Sequence, residues 1–343
     1  MIDFYFIFLA VIVILFFSSK FDKIFFNGAY FIFCIFIITV AGLRLGIGTD
    51  YYSYKEIYGY IAIAKRVELG WKYLNLFFSN VGLSYEFTVF FFSAVINILI
   101  FRFIKRYSIS PFYSLMLYVF LNYYFIAFNA VRQMLAISIF INGLEFLLRK
   151  KYTQFILLTA FAALFHSTAL IGLFYIFLRK IKHIGVFIIF WVVSIPFIVL
   201  PIQSIIIKII PSSSRYAVYF TTRFFEKSSN LSLIKLIIPN MFVFLTILFI
   251  SAFKDSKDYF WLKVFLFSVA VANMANGVAV LMRSNYIFQI SEIIFYPLFL
   301  SKLSKEYSLP VRYLMFVYFI LFFVGTVIVQ GAQGVTPYRS ILG

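Results

Sequence analysis

Long apolar runs alternate with short basic linkers along almost the whole chain. A helix that crosses a membrane needs about 20 mostly apolar residues, and about ten of the runs approach this length. They lie at about 2–17, 24–43, 86–101, 112–128, 130–148, 184–201, 236–253, 259–281, 285–301 and 311–330. The pattern predicts an all-α fold, a polytopic bundle of about ten transmembrane helices.

The linkers between these runs indicate how the chain is oriented. Many carry two or three basic residues, as at Arg149-Lys150-Lys151. Basic loops tend to stay on the cytoplasmic side of a membrane. Placing all of them there puts both termini in the periplasm and predicts periplasmic segments at about 44–85 and 201–235. In the first of these, a mixed polar and apolar sequence around Trp71 predicts a helix that lies in the interface.

The segment from Phe155 to Phe177 conflicts with this orientation, because it lies between two basic linkers that belong on the same side. About 23 residues cannot cross twice, since each crossing needs about 30 Å at about 1.5 Å per residue. Two interpretations stay open, a re-entrant hairpin with His166-Ser167-Thr168 near its tip and a full span with one linker on the wrong side. A re-entrant tip would direct His166 into a buried or wet cavity.

Composition supports a membrane protein, with 64% hydrophobic residues, 12% charged residues and a mean hydropathy of +1.01. We therefore interpret residues 1–343 as a single integral membrane domain. Lys and Arg outnumber Asp and Glu by 30 to 12, but the basic residues follow the ends of apolar runs, which is typical of topology and not of nucleic-acid binding. One cysteine, Cys34, excludes an internal disulfide.

Several arginines fall on the predicted periplasmic side, where the positive-inside bias makes them unusual. A guanidinium stays charged and offers a fork of donors that suits phosphate, so an anionic ligand on that side would explain them. These residues are Arg44, Arg66, Arg132, Arg215, Arg223, Arg283 and Arg339. Glu145 and Glu292 lie within predicted spans, where an unpaired carboxylate is costly. Glu145 is expected to pair with Arg149 at i,i+4 spacing, and Glu292 to pair with an arginine or to support the cavity.

Six short patterns combine arginines, tyrosines and other polar residues at the predicted membrane edges. They are Arg44-x3-Gly48-x-Asp50-Tyr51, Asn129-Ala130-Val131-Arg132-Gln133-x2-Ala136, His166-Ser167, Arg215-Tyr216-x2-Tyr219, Arg283-x2-Tyr286 and Pro337-Tyr338. In this order the chain resembles the EpsG/Wzy family of polysaccharide polymerases nearly end to end. The resemblance implies a broadly membrane-glycosyltransferase-like fold and an inner-membrane enzyme that joins undecaprenyl-diphosphate-linked oligosaccharide repeats into O-antigen or a similar polymer.

In the implied reaction, a hydroxyl of one lipid-linked repeat attacks the anomeric carbon of the growing chain and expels the lipid diphosphate. Fixed guanidinium groups stabilise the departing negative charge. We expect this of Arg132, Arg215 and Arg283, with Arg44 beside them. Asp50 or His166 is the candidate base. The other predicted substrate contacts are Tyr51, Gln133, Tyr216, Tyr219, Arg223, Tyr286 and Tyr338.

Neither a carboxylate pair nor a histidine cluster is present in the sequence, so no metal or other cofactor is predicted. The expected partners are the lipid-linked oligosaccharides, membrane lipids and a protein that regulates chain length. Two other functions fit the same residue types. One is a transporter or flippase of the lipid-linked oligosaccharide, which predicts internal repeats, and the other is a transferase similar to the O-antigen ligases.

Overall fold

The computed structural model describes residues 3–18, 23–65, 67–200, 230–253, 255–276 and 278–342. Within this part the chain is helical and has no β-strand beyond an isolated bridge between Arg44 and Ser340. The predicted all-α fold is therefore confirmed. The helices are α1 Asp3–Ser18, α2 Lys23–Gly42, α3 Tyr51–Gly59, α4 Leu69–Asn80, α5 Tyr85–Tyr107, α6 Pro111–Phe120, α7 Tyr123–Asn129, α8 Val131–Leu148, α9 Tyr152–Ala163, α10 Tyr175–Lys180, α11 Gly185–Ser194, α12 Asn230–Leu248, α13 Ser256–Met274, α14 Ala279–Gln289, α15 Glu292–Lys302 and α16 Lys305–Phe323.

Three helical stretches of the described part are long and apolar enough to cross a membrane. They are Tyr85–Tyr107, Val131–Leu148 and Glu306–Val329, where a π-helix, Val324–Val329, continues α16. Helices α6 and α7 would form a fourth if the pair, bent by 49°, is one span. Shorter apolar helices lie at Asn27–Gly42, Tyr152–Ala163, Gly185–Ile198 and Leu236–Leu248. These apolar helices indicate a membrane protein, and the count of ten crossings stays a prediction.

Helix α5 shows how the sequence sets its own boundaries. The hydroxyl of Ser84 accepts a hydrogen bond from the backbone N–H of Phe87 at 3.2 Å, which caps the first turn. Glu86 lies in the first turn, while Lys105 and Arg106 lie in the last. Charges of these signs are favoured at the two ends of the helix dipole. The stretch between them is mostly apolar, although it includes Ser93, Asn97 and Arg102, and the helix runs unbroken for 23 residues.

Two predicted spans are each broken into two helices. The run at 112–128 is interrupted at Asn122, which adopts a left-handed conformation (φ +67°) that asparagine tolerates better than most residues. Its side chain donates to the hydroxyl of Thr326 at 2.9 Å. The run at 285–301 is divided between α14 and α15, and the second helix begins at Glu292, whose carboxylate suits a helix N-terminus. The structure thus interrupts the helix at both places, and whether each run is one span stays a prediction.

The segment at 155–177 is also broken, close to where a hairpin tip was expected. Helix α9 ends at Ala163, and a 3-10 helix, Ser167–Phe174, begins after a turn that includes His166. The backbone N–H of Gly70, at the start of α4, donates to the carbonyl of Leu164 in this turn at 2.8 Å. The break is thus a structural feature, and its re-entrant topology stays a prediction.

The chain forms two compact units, of which the first comprises Met1–Leu170 with Leu309–Gly343. In this unit α5 packs against α2 and α8, and α8 also packs against α9. Glu145 of α8 forms the predicted ion pair with Arg149 at 2.9 Å, and it also pairs with Arg106 of α5. These contacts tie α5 and α8 together near the end of each helix.

The second unit is Ile171–Ser308, in which α13 packs against α11 and α14. A chain of buried polar side chains links its helices. Trp191 donates to Asn240 at 2.6 Å, Asn240 donates to Asn273 at 2.7 Å, and Asn273 donates to Ser194 at 2.9 Å. Hydrogen bonds between helices are a common means of association where the surroundings are apolar.

Candidate anion-binding site at Arg132

Arg132 lies in the first turn of α8 and pairs with an acidic residue from a distant segment. Its Nη1 is 2.5 Å from Oε2 of Glu68, and the two side chains are 24% and 23% exposed. The pair is therefore partly open to the surroundings. A cation this close to an apolar helix is costly unless it has a partner, and Glu68 supplies one.

Glu68 is placed by the close approach of α4 to the turn after α9. It immediately precedes α4, in extended conformation, and its side chain does not cap that helix. A Cβ on Gly70 would lie 2.9 Å from the carbonyl oxygen of Leu164, so a larger residue would push α4 away from the turn. Glycine at this position lets the carboxylate of Glu68 reach Arg132.

Aromatic rings lie against the pair. The guanidinium carbon of Arg132 is 5.8 Å from the ring centroid of Tyr54, within the range of a cation–π contact. The Tyr54 ring is 5.7 Å from that of Trp71, which in turn stacks on Phe92 at 4.2 Å. Burial raises the pKa of the Tyr54 phenol, an effect that the neighbouring Arg132 opposes. The phenol is thus neutral at physiological pH and able to donate a hydrogen bond.

Arg132 also keeps unused hydrogen-bonding capacity. Its Nε is buried and has no hydrogen-bond partner among the described residues. A guanidinium has five N–H donors in a planar fork, and the Glu68 contact involves Nη1. Replacing one carboxylate by a phosphate group, which has more acceptor oxygens, would allow more of these donors to be satisfied.

Asp50 is held beside the same region by the loop before α3. Its backbone N–H donates to Oδ1 of Asn129 at 3.4 Å, and its carbonyl accepts from the N–H of Tyr54 at 3.0 Å. Gly48 has φ +105°, and a Cβ there would lie 2.7 Å from the same Asn129 oxygen. This glycine lets the loop pass close to Asn129, the last residue of α7, which precedes Arg132 by three residues. The Asp50 carboxylate, half-buried, accepts from the hydroxyl of Thr49 at 3.2 Å.

His166 is connected to the start of α8 through two polar side chains. Its Nδ1 is 3.0 Å from the hydroxyl of Thr168, and that hydroxyl accepts from Gln133 at 3.4 Å. Gln133 follows Arg132 in α8, so this chain of contacts joins the turn after α9 to the helix that carries Arg132. The arrangement connects His166 with Gln133, and their predicted roles as candidate base and substrate contact stay predictions.

Arg44 lies in a different environment from Arg132. It is 3% exposed, and its Nη1 donates to the carbonyl of Ala41 at 2.5 Å and to the hydroxyl of Ser93 at 2.8 Å. The guanidinium carbon is 4.5 Å from the ring centroid of Phe128. Among the described residues no carboxylate pairs with Arg44. The structure therefore shows Arg44 packing helices together, and its predicted contact with substrate stays a prediction.

The C-terminal segment covers Arg44. Leu45 donates to the carbonyl of Arg339 at 3.0 Å, and Ile341 donates to that of Leu43 at 2.9 Å. Tyr338, a predicted substrate contact, donates to the carbonyl of Val40 at 2.9 Å and stacks on Phe4 at 4.0 Å. The segment around Pro337-Tyr338 thus folds back against α1 and α2, and the predicted contact of Tyr338 with substrate stays a prediction.

Other predicted site residues are not in this cluster or lie outside the described residues. Tyr51 is 1% exposed and packs on Tyr85 at 5.2 Å between ring centroids. Arg283, exposed, and Tyr286, half-buried, lie on α14 of the second unit. The residues outside the described part are Arg66, Arg215, Tyr216, Tyr219 and Arg223. Across the described ranges no three His, Cys, Asp or Glu side chains are grouped as a metal site requires.

Glu68 and Trp71 belong to the cluster but were not predicted as site residues. The sequence carried one usable signal for Glu68. An arginine between two apolar runs needs a carboxylate partner, and few acidic residues lie on the predicted periplasmic side. Nothing local distinguishes Glu68 from Glu56 or Glu86, because its contact with Arg132 spans 64 residues.

The chain matches a protein-family model. No curated protein and no solved structure matches the chain. A family model, described as the EpsG family, matches residues 27–340, which is nearly the whole chain. This match includes every residue of the Arg132 cluster and confirms the resemblance seen in the sequence. The chain belongs to the EpsG family.

Proposed function

We infer that the protein is a polysaccharide polymerase of the inner membrane that joins undecaprenyl-diphosphate-linked oligosaccharide repeats at the periplasmic face. Membership of the EpsG family supports a role of the polysaccharide polymerase type. The structural observation that supports the finer proposal is the Arg132–Glu68 pair, a partly exposed guanidinium with an unused donor and an exchangeable counter-ion.

In the proposed mechanism the diphosphate of a lipid-linked chain displaces Glu68 from Arg132. Arg132 then holds the group on which negative charge develops as the glycosidic bond to the lipid breaks. Glu68 neutralises Arg132 while the site has no substrate. A buried cation without any partner would be costly, so the exchange of one anion for another keeps the site charge-balanced.

The proposed chemical step forms one bond and breaks one. The hydroxyl oxygen at the free end of a second lipid-linked repeat forms a bond to the anomeric carbon of the chain. The bond between this carbon and the diphosphate oxygen breaks, and its electron pair leaves with the lipid diphosphate. The proton of the hydroxyl passes to a base, for which we assign the carboxylate of Asp50. Tyr54, held in place by the buried Trp71, supplies a flat face and a hydrogen-bond donor that suit a sugar ring.

Other predicted residues keep their proposed roles. Arg215, Arg223 and Arg283 are proposed as further contacts to the lipid diphosphate, and Tyr216, Tyr219 and Tyr286 as contacts to the sugars. His166 holds the start of α8 in place through Thr168 and Gln133. A separate protein that regulates chain length is the proposed partner.

The experiment uses purified full-length protein in lipid vesicles with a lipid-diphosphate-linked repeat unit. Release of lipid diphosphate and the length of the polymer are measured together. Asp50→Asn should slow both by roughly 100- to 10,000-fold, because an amide cannot accept the proton. Glu56→Gln, an exposed change on the same helix α3, is the matched control and should leave the rate unchanged.

Two results would contradict the proposal. Wild-type protein that moves the lipid-linked repeat across the vesicle membrane without joining repeats would be a transporter. An Asp50→Asn protein with a normal rate would show that Asp50 is not the base. The polymerase assignment would then depend only on whether the vesicles form polymer.

A further inference from the structure

An apolar groove lies beside the Arg132 site in the first unit. It has a volume of about 500 Å³ and lies among α4, α5, α8 and α9. Its walls are mainly aliphatic and aromatic, formed by Val95, Leu99, Leu135, Ile139, Leu158 and Phe161. We refer to it as the α5–α8 groove.

Residues at one end of the α5–α8 groove neighbour those of the Arg132 site. Leu135 of its wall is one helical turn after Arg132 on α8. Phe92, also in the wall, stacks on Trp71 of the site at 4.2 Å. Phe165 of the wall immediately precedes His166. A molecule whose charged end is held by Arg132 would therefore have the entrance of the groove directly beside it.

The groove is elongated along the helices. Its other end is marked by Arg102 of α5 with Asn142 and Glu145 of α8. From Leu135 to Glu145 the helix advances by about 15 Å, which is about half of the ~30 Å hydrocarbon thickness of a bilayer. At that end Glu145 is already paired with Arg106 and Arg149, so the groove changes from apolar to charged where it stops.

Apolar walls of this kind suit a hydrocarbon chain and not a sugar. A sugar placed between Val95, Leu99 and Ile139 would lose its hydrogen bonds to water without replacement. The groove is also open along its side, since Phe161 in its wall is 49% exposed. The neighbouring apolar residues Ile98 and Leu157, at 56% and 65% exposed, face the surroundings where lipid would lie. A long lipid tail can thus enter sideways.

We propose that the α5–α8 groove binds the isoprenoid tail of the lipid diphosphate whose charged group is held by Arg132. The assignment rests on the proposed function, which supplies the lipid diphosphate as ligand. The occupant follows from position, because the groove wall begins one helical turn from a guanidinium whose Nε has no partner among the described residues. The tail occupies the groove from Leu135 toward Asn142, and any length beyond it continues in the bilayer.

The first test is site-specific photocrosslinking in the full-length protein, purified in nanodiscs and loaded with undecaprenyl diphosphate. Leu99, in the groove wall, is replaced by p-benzoylphenylalanine, and its neighbour Ile98, which faces outward, carries the same label as a control. Mass spectrometry of the adducts identifies the lipid. The groove label should give an isoprenoid adduct at least about tenfold more often than the control label, which should capture nanodisc phospholipid.

The second test fills the groove. Val95→Trp and Ile139→Trp place an indole in the space for the tail, while Ile98→Trp adds the same bulk on the outward face of α5. Filling this space excludes the tail from the groove and removes its van der Waals contacts with the wall. Both groove variants should lose long polymer at unchanged protein level, and the Ile98 variant should keep it. Two groove positions are changed so that local misfolding at one of them cannot by itself explain a loss of polymer.

The outcomes separate this proposal from the polymerase proposal. If Leu99 captures only phospholipid and groove filling leaves polymer length unchanged, the groove assignment is wrong, whatever Asp50→Asn does. If Leu99 captures isoprenoid but the vesicles form no polymer, the groove assignment stands and the polymerase proposal fails. Equal isoprenoid capture at Leu99 and Ile98 would also overturn the groove, because it would show general exposure to the lipid.

Discussion

Arg44 and Arg132 were expected to serve the same purpose, and the structure places them in opposite situations. Arg44 is 3% exposed, contacts a backbone carbonyl and a serine, and is covered by the C-terminal segment. The side chain of Arg132 is 24% exposed and has an exchangeable carboxylate partner. An anion as large as a diphosphate can approach the exposed part of Arg132. At Arg44 it would first have to displace the packed segment that covers the guanidinium.

The comparison shows that residue type alone does not define an anion site near a membrane. Both guanidinium groups have a buried Nε without a hydrogen-bond partner among the described residues, so unused donors are common to both. The two guanidinium groups differ in how exposed they are to a ligand and in which partner they would lose when a ligand binds. Arg132 would exchange one anion for another, whereas Arg44 would have to break contacts that hold α2 to α5.

Of the two arginines, Arg132 is expected to have the larger effect on polymer formation when it is replaced by alanine. Loss of a fixed charge at the departing diphosphate should reduce polymer by roughly 100- to 1,000-fold. The measurement is the polysaccharide ladder of a deletion strain that expresses the variant, normalised to protein level. Arg149→Ala, at the other end of α8, is the control and should give a full ladder. A full ladder from Arg132→Ala would remove Arg132 from the site.

Arg44→Ala should act on stability. Removing the side chain leaves the Ser93 hydroxyl without its donor and the Ala41 carbonyl with only the weaker bond from Ser93 at 3.3 Å, at a cost of about 1–3 kcal/mol. Protein level and thermal stability in detergent should fall, while polymer per folded molecule should stay near the wild-type value. An Arg44→Ala protein with normal abundance and stability but no polymer would instead place Arg44 at the substrate.

Gly48→Ala should disturb the loop that carries Asp50. An alanine would adopt an unfavourable positive φ and approach Asn129 too closely, at a cost of about 1–3 kcal/mol. We expect reduced polymer together with a lower melting temperature. Gly28→Ala in α2, where a Cβ meets nothing within 4 Å, should change neither. Equal behaviour of the two variants would show that the loop tolerates displacement.

Glu68→Gln should have the smallest effect. The partly exposed pair contributes at most about 1 kcal/mol to stability, and the amide removes the anion that competes with the diphosphate. The apparent KM for the lipid-linked repeat should therefore fall by a few-fold, with little change in melting temperature. A loss of turnover at saturating substrate would mean that Glu68 takes part in the reaction and is more than a counter-ion.

Hydropathy predicted the uninterrupted helices well, because their signal is local. The runs that became α5 and α8 have no residue that stops a helix, and Ser84 marks the start of α5. The break at Asn122 could not be predicted in the same way, because it depends on Thr326, which is 204 residues away in the sequence.

The site was predictable only in part, for a related reason. Arg132 was found because a charge between two apolar runs is conspicuous in the sequence. Glu68 was missed because its role is defined by a contact that α4 and the turn after α9 create together. Arg44 looked equally promising in the sequence, and only the folded-back C-terminal segment shows that it is covered.

Direct binding measurements test best whether Arg132 holds the diphosphate of the lipid. Affinities of the purified protein for a polyprenyl diphosphate and for the uncharged polyprenol should be compared in wild type, Arg132→Ala and Arg149→Ala. Arg132→Ala should lose about 2 kcal/mol of the preference for the diphosphate, or roughly 30-fold in Kd, while Arg149→Ala keeps it. An unchanged preference in Arg132→Ala would contradict the account.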